Sequence, residues 1–577
     1  MAGAIFAALG CSNHADPNNT AGAAPAAGEG AIGEGGLGVS TDADVTGNGT
    51  RSSSGGNGDG STNSAGGTIR GADGSGAATS GMDGNGTGID SGALDMTNSV
   101  LERNKHPSRD GNFVQPMLTK ARAAAMAMEA NFKASFSGAM WTSPLYVEDG
   151  PAGKGAFFAA TTENTVYAFD ETTGAVVWMT LIGPPATGPG VACGDIHPIG
   201  ILGTPVIDHA ARTLYVTGNM GPGATTGFEV HALSVDDGKE RPGWPVNLSK
   251  VTSGGLAFDA GAENQRGALS LVNGILYVPF GGHNGDCGPY HGWVVAIDTK
   301  TPTTVAAWAS SGLGEAIWAS GGMVSDGNGI IAVTGNSNAG GTQHLDSEEV
   351  VRLTGMATLD RSDTNIYYPA RWRTLDAADD DFAATNPVLV HVPGAAPSSY
   401  VMAATKDGHA YFLDSQHLGG MDGHVADHVV AGVTHSVRTA PAYYQTGMGA
   451  HVALTVDDHA VCPAGAATGG PVLMSILIAP GPPIKPQTNW CAPVVGFIGT
   501  GGTHRTSAPI ATTTDGTNDA IVWVMSGGML LGVDGDTGKT IYSGGACSNV
   551  RQWTSPIAVK GRIVVGGDGH LCSWAAP

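Results

Sequence analysis

The chain has 577 residues, with 50 Asp and Glu against 27 Lys and Arg, for a net charge of −23. A chain so acidic is a poor partner for nucleic-acid phosphate, and no apolar stretch in it is long enough for a membrane-spanning helix. Its 91 glycines suit many tight turns together with an unfolded tail.

In chain order, the first feature is "AIFAALGCS", a short apolar run ending in Ala8-Leu9-Gly10-Cys11. It resembles a bacterial lipobox with Cys11 as the lipidated residue. No Lys or Arg precedes it and the run is short for a signal peptide, so plain secretion is the alternative. Residues 12–95 are mostly Gly, Ala, Ser, Thr, Asn and Asp. Such a segment buries too little apolar surface to fold and reads as a disordered tether. Residues 96–130 form a lead-in, and "LTKARAAAMAMEANF" (118–132) is the one stretch there with helical spacing.

From residue 131 to 577 the pattern is β. "VYAFDETTGAVVW" (166–178) is a hairpin: Val166, Tyr167 and Phe169 favour strand, Asp170 and Gly174 favour the turn, and a second strand runs to Trp178. The pattern recurs at Ala232, Ala296 and Gly532, with a weaker copy at Phe412. Ala168, Ala232 and Ala296 are 64 residues apart in turn. A second marker, a small or polar residue with Pro or Gly opening an apolar strand, occurs eight times: "TSPLYV" at 142, "GTPVID" at 203, "RGALSLV" at 266, "SGGMVS" at 320, "TNPVLV" at 385, "TAPAYY" at 439, "TSAPIA" at 506 and "TSPIAV" at 554. A unit of this length made of short strands is a propeller blade. The expected fold is all-β, an eight-bladed β-propeller of four-stranded antiparallel blades. The last blade has sequence for three strands only, and "NFKASFSG" (131–138) is the candidate N-terminal strand that closes it.

The run Ala168, Asp170, Thr173, Gly174, Trp178 resembles the tryptophan-docking motif of the quinoprotein alcohol dehydrogenase-like, eight-bladed propellers, built from pyrroloquinoline quinone (PQQ)-like repeats. The resemblance implies that Trp178 lies on an outer strand and packs onto the next blade. It also implies a candidate chemistry: PQQ stacked on a Trp, a Ca²⁺ held by oxygen ligands, and an Asp as base. Glu263 and Asn264 are the candidate Ca²⁺ ligands, Trp318 the stacking ring and Asp381 the catalytic base. The residues just before each strand-opening marker should line the funnel, which adds Arg266, Arg438, Arg505 and Trp553 as cofactor-binding candidates. The chain lacks a vicinal Cys-Cys pair and a Cys-x-x-Cys-His haem motif, both of which occur among such enzymes.

Setting Cys11 aside leaves Cys193, Cys287, Cys462, Cys491, Cys547 and Cys572. An even set in an exported chain suggests disulfides, with 15 pairings open to six cysteines. In the blade layout most lie in adjacent loops on one face, which favours sequential pairing; buried free thiols are the alternative. The reading that follows is a monomeric protein of the bacterial cell envelope, a lipoprotein of the periplasm or outer surface, or else secreted. It binds a protein partner or small polar ligand at the funnel without catalysis and contacts membrane only through a lipid anchor. The alternative is a PQQ- and Ca²⁺-dependent dehydrogenase of an alcohol or sugar.

Overall fold

The computed structural model describes residues 97–187, 193–221, 227–338, 342–466, 469–498 and 504–577, with backbone only for Ile498, His504 and Arg505. Cys11 and the tether lie outside the described residues. The described residues form eight antiparallel blades. Each of the eight markers opens an innermost strand: Leu145–Val147, Val206–Asp208, Ser270–Val272, Val324–Ser325, Val388–His391, Ala442–Thr446, Ile510–Thr513 and Ile557–Val559. We number the blades 1 to 8 in that order.

Blade 1 shows how the motif works. Asp170 Oδ1 accepts from the Thr172 and Thr173 amides at 3.1 and 2.8 Å and from the Thr173 hydroxyl at 2.8 Å. Those bonds hold its carboxyl below the usual range. Gly174 takes φ +73°, where a side chain would also strike the backbone of Lys133 and Ala134. Trp178, on the outer strand Val176–Leu181, donates to Val235 O of blade 2 at 2.9 Å and lies against Gly238, where a Cβ would meet its ring. Trp490 of blade 6 repeats the arrangement on Gly535 O and Gly538 of blade 7.

Ring closure is N-terminal, but its regular strand is Ala127–Met128, paired with Ala575 and Trp574, and not 131–138. Pairing resumes where Leu571 N donates to Ala134 O and Phe136 N to Gly569 O. Between them the chain bulges, so that Phe132 enters the core and Lys133 N reaches Thr173 O of blade 1. The helical pattern yields only Lys120–Ala123, capped by Thr119, because the residues after it are taken up in closure.

The lead-in has a role its polar sequence hid. It passes from blade to blade along the innermost strands. Val100 exchanges hydrogen bonds with Tyr146. Leu101 O accepts from Ile207 N, Pro107 O from Ser325 N, Ser108 O from Leu389 N, Asp110 O from Tyr443 N and Gly111 O from Ala511 N. Asn112–Val114 then adds to blade 7 as a parallel strand. Arg109, fully buried, serves blades 3 and 4: it donates to Leu269 O, Ser270 Oγ and Met323 O at 2.8–2.9 Å and pairs with Glu102 at 2.6 Å. Inner edges that would otherwise present bare amides are thereby satisfied.

Candidate functional site

The two aromatic candidates, Trp318 and Trp553, meet a third ring, Trp141, and the cations Arg266, Lys406 and Arg551 at the channel mouth. Trp318 and Trp553 lie with ring centroids 6.2 Å apart, and Trp141 is 6.4 Å from Trp553. The Arg266 guanidinium carbon is 5.1 Å from the Trp318 centroid and 5.1 Å from the Trp553 centroid. Arg551 sits 5.2 Å from Trp141 and pairs with Asp568 at 3.0 Å. Trp318 donates its indole N–H to Asp381 Oδ2 at 2.9 Å, and Lys406 Nζ lies 3.0 Å from the same oxygen. Burial pulls the Lys406 ammonium down, but Asp381 and Asp379 outweigh it and hold it above its ordinary value. Asp381 is thus the acceptor of a buried cation and an indole.

The other candidates scatter. Glu263 and Asn264 are consecutive residues of one strand, so their side chains leave on opposite faces. Glu263 Oε1 accepts from His291 N at 2.9 Å and Trp293 Nε1 at 3.0 Å; burial raises its carboxyl well above the usual range. Asn264 faces a cavity of about 10 Å³ shared with Asp195, Arg266 and His283. Arg438 pairs with Asp457 at 3.0 Å within blade 6. The Arg505 side chain lies outside the described residues. Cys193–Cys287, Cys462–Cys491 and Cys547–Cys572 are disulfides, the sequential pairing.

These residues do not fit PQQ with Ca²⁺ as they stand. Trp318 and Trp553, with centroids 6.2 Å apart and planes tilted by 58°, leave no slot for a flat ring between them; Arg266 caps both from one side, and the cavity beside it has room for about one water molecule. Nor do Glu263 and Asn264 face a common ion.

A larger cavity, about 230 Å³, opens on the flank between blades 4 and 5. Glu315, Ser337, Gln343, Ser347, Trp372, Arg373 and Asp376 are among its lining residues. Trp372 and Asp376 come from the helix Trp372–Ala378 in the connection between the two blades. Asp376 accepts from Ser337 N at 2.9 Å and Ser347 Oγ at 3.1 Å. Glu315 accepts from Gly312 N at 2.8 Å, and burial pushes its carboxyl up to about 7 against that bond. Glu349 stands behind, fully buried, with no hydrogen-bond donor on either carboxyl oxygen. Burial and the neighbouring Glu315 charge hold it well above the usual range. Two cations stand by: Arg373 lines the cavity, and Arg361 pairs with Asp346 and lies 3.9 Å from Glu349.

Sequence reasoning missed Lys406, Asp376, Glu349 and Trp141. A signal existed for Trp141: "WTSP" occurs at 141 and again at 553, so both Trp residues stand at the same place before an inner strand.

No protein-family model matches the chain, and no curated protein matches it. Solved structures do. A quinohemoprotein alcohol dehydrogenase from Pseudomonas putida superposes with a TM-score of 0.59 at 14% identity, over 83% of this chain and 80% of that one. The quinohemoprotein alcohol dehydrogenase from Comamonas testosteroni gives 0.54 at 15%, over 83% and 80%. A europium-containing methanol dehydrogenase gives 0.51 at 15%, over 81% and 89%. The chain therefore has the eight-bladed propeller fold of the PQQ-dependent alcohol dehydrogenases. Within that fold it is a propeller whose mouth is packed with its own side chains.

Proposed function

We propose that this chain is an exported, envelope-tethered propeller that binds a ligand or a protein partner and carries out no catalysis. The observation that supports it is Arg266, which caps Trp318 and Trp553 together and fills the space against both rings where a flat cofactor would stack. The flank cavity, with Glu315 and Asp376 on its wall, is the seat for a small polar ligand. Three disulfides suit an oxidising compartment, and Cys11 is the proposed anchor. The protein is proposed to act as a monomer.

A second reading, a PQQ- and Ca²⁺-dependent dehydrogenase of an alcohol or sugar, has one observation in its favour: the bonded set of Trp318, Asp381 and Lys406 at the mouth. One titration separates the two. The folded chain is titrated calorimetrically with PQQ in Ca²⁺, beside Arg266→Ala. The scaffold reading expects no saturable heat from the wild type. Micromolar binding by the wild type, lost in Asp381→Asn, would replace it with the dehydrogenase.

A further inference from the structure

Cys547 follows the outer strand of blade 7, Thr540–Ala546, whereas His570 and Cys572 belong to His570–Ala575 of blade 8. The Cys547–Cys572 disulfide therefore staples the ring-closing blade to its neighbour. Among the described residues, this is the one group in which three metal-ligating side chains bring an atom each within 4.8 Å of one another.

The histidine is set up as a ligand. His570 Nδ1 lies 3.0 Å from Asp568 O, a pure acceptor, so Nδ1 carries the proton and donates. That leaves the Nε2 lone pair facing Cys547 Sγ at 3.7 Å, with Ser548 Oγ at 3.5 Å. Tetrahedral zinc with Zn–S of about 2.3 Å and Zn–N of about 2.0–2.1 Å places S and N roughly 3.6 Å apart. The Sγ to Nε2 separation already matches. Asp568 is itself fixed by Arg551 at 3.0 Å, the outer support that metal-binding histidines use. Both sulfurs are buried, and His570 is half-buried on the solvent side.

The geometry points to a second form of this staple: on reduction, Cys547, Cys572 and His570 bind a thiophilic divalent metal ion of the zinc class, and the metal holds blade 7 to blade 8 in place of the disulfide. A dithiol reductant supplies two electrons and two protons; the S–S bond breaks, two S–H bonds form, and the reductant leaves as its own disulfide. Zn²⁺ then displaces the two thiol protons, forming two Zn–S bonds and one Zn–N bond to Nε2. The fourth position goes to water or Ser548. Two protons are released, so affinity rises with pH.

The test uses the full chain, reduced with an immobilised dithiol that is removed before titration with Co²⁺, a coloured zinc substitute. Expected is one equivalent of tetrahedral Co²⁺ with a thiolate charge-transfer band, bleached by Zn²⁺. Cys547→Ser should abolish it and His570→Ala should weaken it at least tenfold. Because the reduced full chain carries five other cysteines, Cys11 among them, a band that survives Cys547→Ser unchanged overturns the assignment, as does unchanged affinity in His570→Ala. Should His570→Ala not fold, His570→Gln serves in its place. A thermal scan gives an independent reading. Zn²⁺ should raise the melting midpoint of the reduced wild type and leave that of the reduced histidine variant unmoved. An equal rise in both, or none in the wild type, refutes the staple.

Discussion

The channel mouth and the blade 4–5 flank handle charge in opposite ways. At the mouth, cations and rings satisfy one another: Arg266 with Trp318 and Trp553, Arg551 with Trp141 and Asp568, Lys406 with Asp381 and Asp379. Each of these cations has an internal partner, although Trp553 Nε1 and Asp381 Oδ1 are buried without one, so the mouth is built largely as structure. On the flank, Glu315, Asp376 and Glu349 gather with Arg373 on the cavity wall and Arg361 behind, and Glu349 has no hydrogen-bond donor. A buried carboxyl without a donor is costly even when burial keeps it neutral, and carboxyls displaced from their ordinary range gather where proteins bind ligands. The contrast is why the ligand seat is proposed on the flank.

The largest expected effect lies under the mouth. Arg109 is fully buried, with Glu102 as its ion-pair partner and backbone acceptors on blades 3 and 4. Arg109→Ala leaves Glu102 and several carbonyls without donors, at a cost of about 3–5 kcal/mol. Chemical denaturation measures it. A change below about 1 kcal/mol would mean that the lead-in is not integral to the ring.

The flank should be weaker and dependent on pH. Glu315 in the folded chain titrates at about 7, above its ordinary 4.5. Its folded form binds the proton more tightly, so no penalty exists below about pH 4.5. The penalty grows as pH rises to 7 and is complete above it, at roughly 3 kcal/mol. Glu315→Gln should therefore be more stable than the wild type at pH 8, and the gap should close at pH 4.5. Denaturation midpoints across that range test it, with Asp376, Glu349, Asp346 and Arg361 left intact because all face the same group. A gap independent of pH would place the effect in packing and not in charge.

How much of this was legible beforehand follows from which forces are local. The eight strand openings, the Asp170–Trp178 hairpin and the disulfide order were readable because turn chemistry and a repeat of about 60 residues repeat in sequence. The lead-in was not: "LERNKHPSRDGNF" is polar enough to pass for a linker, and only the acceptors and amides of distant inner strands make it a buried element. Glu263 and Asn264 read as a ligand pair in sequence, but alternation along their strand separates consecutive side chains. Glu349 and Asp376 stand on the entry to one strand and on a short helix, at positions no strand-opening marker flags.

The smallest effect returns to the mouth and asks whether its partners are truly coupled. Arg266 sits 5.1 Å from each of two indole centroids, and a cation over a partly desolvated ring contributes about 0.5–2 kcal/mol. Arg266→Gln keeps much of the stem and removes the charge, so about 1 kcal/mol should be lost, less whatever water regains by entering. The single variant cannot separate that loss from packing. A cycle with Trp318→Phe can, because the weaker ring face lowers the attraction while keeping an aromatic in place. A coupling energy above about 0.5 kcal/mol makes Arg266 and Trp318 one unit. Strict additivity would mean that the arginine merely fills space, and the face it covers on the two rings would then be open to a ligand able to push it aside.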